Sequence, residues 1–416
     1  MCGSLLVALG LAACGSGSST GTDSTAAAGS ATEAAASKPA GEPIKLMAME
    51  AYTEPASGLE DPHFDAGQAR VEAVNAAGGI DGRPLELIKC DTKSDPNLAA
   101  ACARQAVEEE VVAVVGPAVF NATSAYPILE KAGISQVGGS AADQVEGSSP
   151  ISFPFTSTVT QIAGVPRALV LDGAKKMGAI IPKFPGSEQV VQGLEQLVPH
   201  LGIELGEVEQ LPFDTVDFAP AVAKALSGGA DSVLVFFPGP NQATAIKAVK
   251  ERDPSAKVGT LNVYVTPEVI EALGPDAEGL VAAAAGLPAS ASSPGMDEFN
   301  AEMDKYAPET PRVDGAVFLW AAVYAVEGIL KQVQTIDAKA VTAALGKQAK
   351  LETGGIIPPL DTTVPGPVPG FPRVFNPTTV PVRIEAGEAQ MMEPKNPFFD
   401  PFGGPPPSAG GAKGGA

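Results

Sequence analysis

The chain has 416 residues, of which 45% are apolar, 18% charged and 5% aromatic, with 46 Gly, 39 Pro, 2 His and 4 Cys. Its length suits two or three domains with a sizeable core, and the Gly and Pro content points to loose segments beside folded ones. A formal charge of −21 repels phosphate backbones and anionic headgroups, which excludes nucleic acid as a partner, and so few His and Cys leave little material for a metal site.

Residues 5–13 form an apolar run. It is far short of the roughly 20 residues of a spanning helix but suits the h-region of a secretory signal. The run ends in Leu11-Ala12-Ala13-Cys14, which resembles a bacterial lipoprotein signal: small residues before a cysteine that receives a diacylglyceryl group. The expectation is a signal peptide at 1–13, Cys2 included, and a lipid on Cys14 that anchors the protein to the outer face of the cytoplasmic membrane. No Lys or Arg precedes the run, which leaves open a true start upstream of Met1. Residues 14–43, almost wholly Gly, Ser, Thr and Ala, hold no large apolar group to bury and read as a flexible tether.

The body alternates strands and helices. A short apolar run at 44–49 is a strand. A helix over 65–77 stops at Gly78-Gly79, a natural C-cap, and a turn at 80–83 leads to a strand over 84–89. Asp95-Pro96 caps a helix that runs to about Glu109. The β-branched run 111–115 suits a parallel strand covered on both faces. A helix at 122–131 and a strand at 134–137 follow. The rhythm repeats with strands at 177–181, 203–209, 232–237, 257–261 and 279–284, separated by helices at 188–201, from Asp217 to Leu226, at 241–251 and from Thr266-Pro267. Three helices follow, at 296–306, 313–330 and 337–345, then a Pro-rich stretch and a strand pair near Val374 and at 380–384. Such alternation predicts an α/β chain of two doubly wound parallel-sheet lobes joined by several crossovers. Residues 393–416, rich in Pro and Gly, are expected to be a disordered tail despite Phe398, Phe399 and Phe402.

Several stretches, taken in order, carry a resemblance. They are Asp65 to Ile88 with its Asn75-Ala76-Ala77-Gly78-Gly79-Ile80-Asp81-Gly82-Arg83-Pro84-Leu85 core, Asp91 with Ser94-Asp95-Pro96, and Val111 to Pro117. Phe153 to Thr160, Asp217-Phe218 and Ala230-Asp231-Ser232-Val233 complete the set. Over 44–384 the chain resembles the substrate-binding lipoproteins of branched-chain-amino-acid-type ABC transporters, Leu/Ile/Val-binding-protein-like members of the type I periplasmic binding protein fold. The resemblance implies lobe I at 44–155 plus 288–350 and lobe II at 156–287 plus 355–392, joined by a multi-strand hinge. It implies a small amino-acid-like, amide or carboxylate solute held between the lobes, and an ABC permease as the receiving partner. The protein is expected to be a monomer without a cofactor. A ligand-sensing subunit of a membrane signalling system is the alternative. Neither a Walker-type phosphate loop nor a nucleophile-elbow triad is visible, so no enzyme is expected.

In amino-acid-binding relatives the loop after Gly116-Pro117 offers a hydroxyl to the ligand carboxylate; here it reads Ala118-Val119-Phe120-Asn121. The next loop, Gly138-Gly139-Ser140-Ala141-Ala142, keeps one hydroxyl at Ser140, and its glycines permit close approach. Phe184 fits the position of a lobe II aromatic, and Asn262 stands where an acidic ammonium partner is usual. Tyr52, Thr53, Gly239 and Tyr264 complete the expected ligand contacts. Burying an ammonium without a partner costs several kcal/mol. The sequence therefore predicts an amide, acid or aromatic solute rather than an ordinary branched-chain amino acid. Trp320 reads as core, and His63 and His200 as solvated or capping residues. In an oxidising exterior, Cys90 and Cys102 are expected to form a disulfide.

Overall fold

The structure, a computed structural model, describes residues 39–53, 63–116, 121–184 and 187–403. Short β-branched runs build the first sheet. Strands β1 (Ile44–Glu50), β2 (Leu85–Asp91), β3 (Ala113–Val115) and β4 (Ser135–Val137) lie parallel, in the order β2-β1-β3-β4. The short β5 (Ser140–Ala141) leaves this sheet, β6 (Ser152–Phe153) rejoins it beside β4, and β7 (Thr156–Ser157) pairs with β5. Met47 faces Ile88 on one side and Val114 on the other. Every residue of β3 and β4 is buried, as expected for a parallel sheet covered on both faces.

The intervening helices are α1 (His63–Ala76), α2 (Pro96–Glu108), α3 (Ala122–Ala132) and α4 (Gln144–Ser148). Local chemistry sets their ends. Asp95 Oδ1 accepts from the N–H groups of Asn97 and Leu98 at 2.7 and 3.0 Å, and Pro96 starts α2. Gly79 sits at φ +73°, where a Cβ would lie 2.2 Å from the Arg83 carbonyl oxygen; only glycine fits this turn. Asn75 then clamps the Leu85 backbone with two hydrogen bonds, of 2.7 and 2.9 Å. A Cys90–Cys102 disulfide, with Cα atoms 5.8 Å apart, joins β2 to α2.

Helix α5 (Thr158–Leu171) carries the chain to a second sheet. Its parallel strands are β8 (Lys176–Pro182), β9 (Glu204–Leu211), β10 (Ser232–Val235), β11 (Lys257–Leu261) and β12 (Val281–Ala284). Helices α6 (Ser187–His200), α7 (Ala219–Ala225), α8 (Asn241–Arg252) and α9 (Pro267–Leu273) connect them. The antiparallel hairpin β13 (Val380–Glu385) and β14 (Glu388–Met391) completes the order β14-β13-β12-β11-β10-β8-β9. The strand expected near Val374 does not form; Val374 is buried against Val368 and Ala141, and β14 takes the place beside β13. β14 is an edge strand whose residues are exposed or half-buried, so it lacks the apolar run that marks a covered strand.

After β12 the chain returns to the first sheet as α10 (Pro294–Tyr306), α11 (Asp314–Leu330) and α12 (Ala338–Leu345). Arg70 of α1 fastens them. Its guanidinium meets Glu327 at 2.6 and 3.1 Å and Glu298 and Glu302 at 2.6 Å each. It also stacks over Tyr324, 4.7 Å from the ring centre. Trp320 is fully buried, and its N–H donates to Glu302 at 2.6 Å. The chain then crosses back to the second sheet, the third passage between the two. Residues 393–403, expected to belong to a disordered tail, lie against the body. Arg167 pairs with Glu393 at 2.6 Å, and Thr379 and Phe399 exchange two backbone hydrogen bonds of 2.8 Å. Residues 404–416, like 1–38, lie outside the described residues.

Candidate functional site

Both sheets reverse their strand order once, between β1 and β3 and between β8 and β10. In open parallel sheets ligands bind outside the carboxyl ends of the strands near such points. A cavity of about 550 Å³ opens at the ends of β1 and β4 in the first sheet and of β11 in the second. The first lobe contributes Glu50 and Ala51 after β1, His63 of α1, Ser140 and Ala142 after β4, and the start of α11. The second lobe contributes Thr158 and Gln161 of α5, residues 261–267 after β11, and Glu388 beside the β13–β14 turn.

Two side-chain hydrogen bonds span the cavity from lobe to lobe. Gln161 Nε2 donates to Ser140 Oγ at 3.1 Å, and Asn262 Nδ2 donates to Asp314 Oδ1 at 2.8 Å. Gln161 is 3% exposed. Its Oε1, together with Asp314 Oδ2 and Asn300 Oδ1, is buried without a hydrogen-bond partner among the described residues. Burial pushes the Asp314 carboxyl up to about 6, against the Asn262 hydrogen bond, the Ala285 N–H and the nearby His63. His63 Nδ1 lies 3.2 Å from Glu50 Oε1. A Cβ on Gly315 would sit 2.0 Å from the His63 ring, so glycine is needed at the head of α11. The other basic side chain of the wall, Arg312, pairs with Asp304.

Of the residues expected from sequence, Ser140, Asn262 and Tyr264 are brought together in the cavity wall. Tyr264 stacks on Phe236 with centroids 6.2 Å apart and rings 4° from parallel. Burial raises its hydroxyl to about 12. Phe184 stands edge-on to the same Phe236 at 6.2 Å and extends this aromatic wall behind Tyr264.

The remaining expected residues lie elsewhere. Tyr52 is fully buried, edge-on to Phe64 and under the Lys89 ammonium. Thr53 is bonded through its hydroxyl and N–H to Asp91, at 2.6 and 3.2 Å. Gly139 accepts the N–H groups of Phe155 and Thr156, and Ala141 packs with Val368 and Val374. Asn121 precedes α3 at φ +71°, and Gly239 is exposed at φ +66° in the turn before α8. Ala118, Phe120 and Cys14 fall outside the described residues. His63, read as solvated or capping, lines the cavity, whereas His200 bonds the Gln196 carbonyl. No group of three or more His, Cys, Asp or Glu side chains suited to a metal occurs among the described residues.

Sequence reasoning missed Glu50, Gln161, Asn300 and Asp314. Two of them left a weak signal: Gln161 and Asp314 are polar residues in the first turns of largely apolar helices. Asn262 stands where an acidic ammonium partner is usual, and the sequence around it shows no substitute for that acid. The structure supplies one from α11, 52 positions along the chain.

A family model described as "Periplasmic binding protein" matches residues 43–363. The "Leu/Ile/Val-binding protein homolog 7" of Brucella abortus is 25% identical over 333 residues, covering 75% of this chain and 82% of that protein. The Leu/Ile/Val-binding protein of Escherichia coli K12 is 32% identical over 97 residues, 23% of this chain and 26% of its own length. Among solved structures, an ABC transporter solute-binding protein from R. palustris in complex with 4-hydroxybenzoate aligns with TM-score 0.70 and 17% identity, covering 88% of this chain and 98% of that one. LivJ from Streptococcus pneumoniae, bound to isoleucine, aligns with TM-score 0.67 and 17% identity, covering 84% and 98%. These two likenesses establish a shared fold.

Proposed function

Because the chain belongs to the periplasmic binding protein family, we propose that it captures a small solute between its two lobes outside the cytoplasmic membrane and hands it to an ABC permease. The single observation that carries this reading is the cavity at the carboxyl ends of the strands, walled by both lobes and spanned by two side-chain hydrogen bonds. A solute there can exchange its contacts for those two bonds, so binding and lobe closure are coupled. Lobe I corresponds to 44–155 plus 288–350 and lobe II to 156–287 plus 355–392, and the three chain passages between them serve as the hinge. The protein works as a monomer and performs no chemistry on its solute. Residues 1–13 act as the signal, and Cys14 carries the lipid on the 14–43 tether. Replacing Cys14 with Ser should release the protein from membranes on cell fractionation; unchanged membrane retention would refute the anchor.

The capture reading is tested by native mass spectrometry of the full chain after incubation with a mixture of small metabolites. One unmodified solute per chain is expected on the wild type, and none on Ser140→Trp, whose indole intrudes between the lobes beside Gln161. A solute retained equally by both, or chemically altered, would contradict the reading. No helix among the described residues is long and apolar enough to cross a membrane.

A further inference from the structure

The cavity wall is unbalanced in its hydrogen bonding. Three of its side-chain oxygens, Gln161 Oε1, Asn300 Oδ1 and Asp314 Oδ2, are buried with no partner among the described residues. All three are acceptors. Leaving such groups unpaired is costly, and a buried polar atom without a partner calls for an explanation. The amide nitrogens of the same side chains are already spent, on Ser140 for Gln161 and on the Ala289 carbonyl for Asn300. The wall's basic groups are engaged as well, His63 with Glu50 and Arg312 with Asp304. Glu388 adds another carboxylate to the lining. The hydroxyls present can serve either role, so the side-chain groups of fixed polarity that remain are acceptors.

Helix N-termini favour an anion instead: the 17-residue α11 opens on the cavity through 313–315, and α1 and α5 begin there at His63 and Thr158. First-turn carboxylates, Asp314 on α11 and Asp65 on α1, already supply negative charge, and Ser157 Oγ accepts the Thr160 N–H at the start of α5.

We propose that the solute is an organic cation without a carboxylate, bearing an ammonium or guanidinium group whose N–H donors are taken by Asp314, Gln161 and Asn300. This rests on the capture reading above and departs from the amide, acid or aromatic solute expected from sequence, because Asp314 supplies the acid that position 262 does not. A cation would give Asp314 a charged partner beside its neutral donors, Asn262 and the Ala285 N–H, and would meet acceptors on both lobes, Gln161 on the second and Asp314 on the first. A chain of charge −21 would also draw cations toward it at low ionic strength. The charged group beside Asp314 is His63, itself paired with Glu50; the other charged groups of the wall are Arg312, paired with Asp304, and Glu388 from the hairpin. Burial holds the Asp314 carboxyl at about 6, so cation affinity should fall as pH drops below about 6.

The test is calorimetric titration of the full chain with agmatine and putrescine, and with 4-hydroxybenzoate and leucine as carboxylate-bearing controls. At least one cation should bind saturably, and both controls should not. Asp314→Asn should weaken the cation at least tenfold and remove the loss below pH 6. Gln161→Glu, which keeps an acceptor in place, should hold or tighten it, whereas a donor role for Gln161 would make this variant weaker. Failure of both cations at millimolar concentration overturns the proposal. If leucine or 4-hydroxybenzoate binds instead, the proposal falls while capture between the lobes stands. Cation binding unchanged in Asp314→Asn would equally overturn the assigned site.

Discussion

The knot around Arg70 and the wall of the cavity use the same residue types to opposite ends. In the knot, one guanidinium gathers Glu298, Glu302 and Glu327, and Trp320 donates to Glu302. The neighbouring carboxylates and the tilted rings close the shell. In the wall, Asp314 receives only neutral donors, from Asn262 and the Ala285 N–H, and no cation. A fully paired polar cluster fixes structure, here the return of α10 and α11 onto the first lobe. A half-paired one stores a demand that an incoming group can meet. The different states of similar carboxylates thus separate scaffold from site.

This contrast can be broken at either end. The largest effect belongs to the knot. Arg70→Met leaves Glu302 and Glu327 buried without their cation and should cost about 3–5 kcal/mol in chemical denaturation. Solute binding by the folded variant should be unchanged. A loss under about 1 kcal/mol would mean that the knot is not a structural fastening. Replacing both Cys90 and Cys102 with Ser should remove about 3 kcal/mol, because the disulfide closes a short loop and so restricts the unfolded chain. Equal stability of the variant and the oxidised wild type would contradict this.

The wall should show the smaller and opposite effect. The Asp314 carboxyl titrates near 6 when folded, against an ordinary value of 3.8. The folded state therefore holds this proton more tightly than the unfolded chain. Stability from this group is greatest below about pH 4, is lost as pH rises toward 6, and is flat above. In the solute-free protein, Asp314→Asn should abolish that slope and equal or exceed the wild type at pH 7, with a difference on the order of 2 kcal/mol across the window. The measurement is the wild-type-minus-variant stability from pH 4 to pH 7; a flat difference would show that Asp314 is not held protonated by its surroundings.

Much of the scaffold was legible because its signals are local. The Gly78-Gly79 turn, the Asp95-Pro96 cap and the buried β-branched strands each carry their instruction within a few residues. β14 was not legible, because an edge strand exposed on one side lacks an apolar run. Nor were residues 393–403, where Pro and Gly hide a docked segment held by Arg167 and Thr379. In the site, Ser140, Asn262 and Tyr264 follow strand ends and could be read from chain order alone. Their partners Gln161 and Asp314 come from helices 21 and 52 positions away in the sequence, and only the crossovers bring them to the same cavity. That distance explains why the wall looked short of an acid when read as sequence.

The central claim is that a solute sits between the lobes and touches both. A crystal structure of the solute-loaded protein tests it most directly. The account predicts density in the cavity at the ends of β1, β4 and β11, in contact with Asp314 from one lobe and Gln161 from the other. A solute bound on the outer surface, or held by a single lobe with the cavity left open, would contradict it.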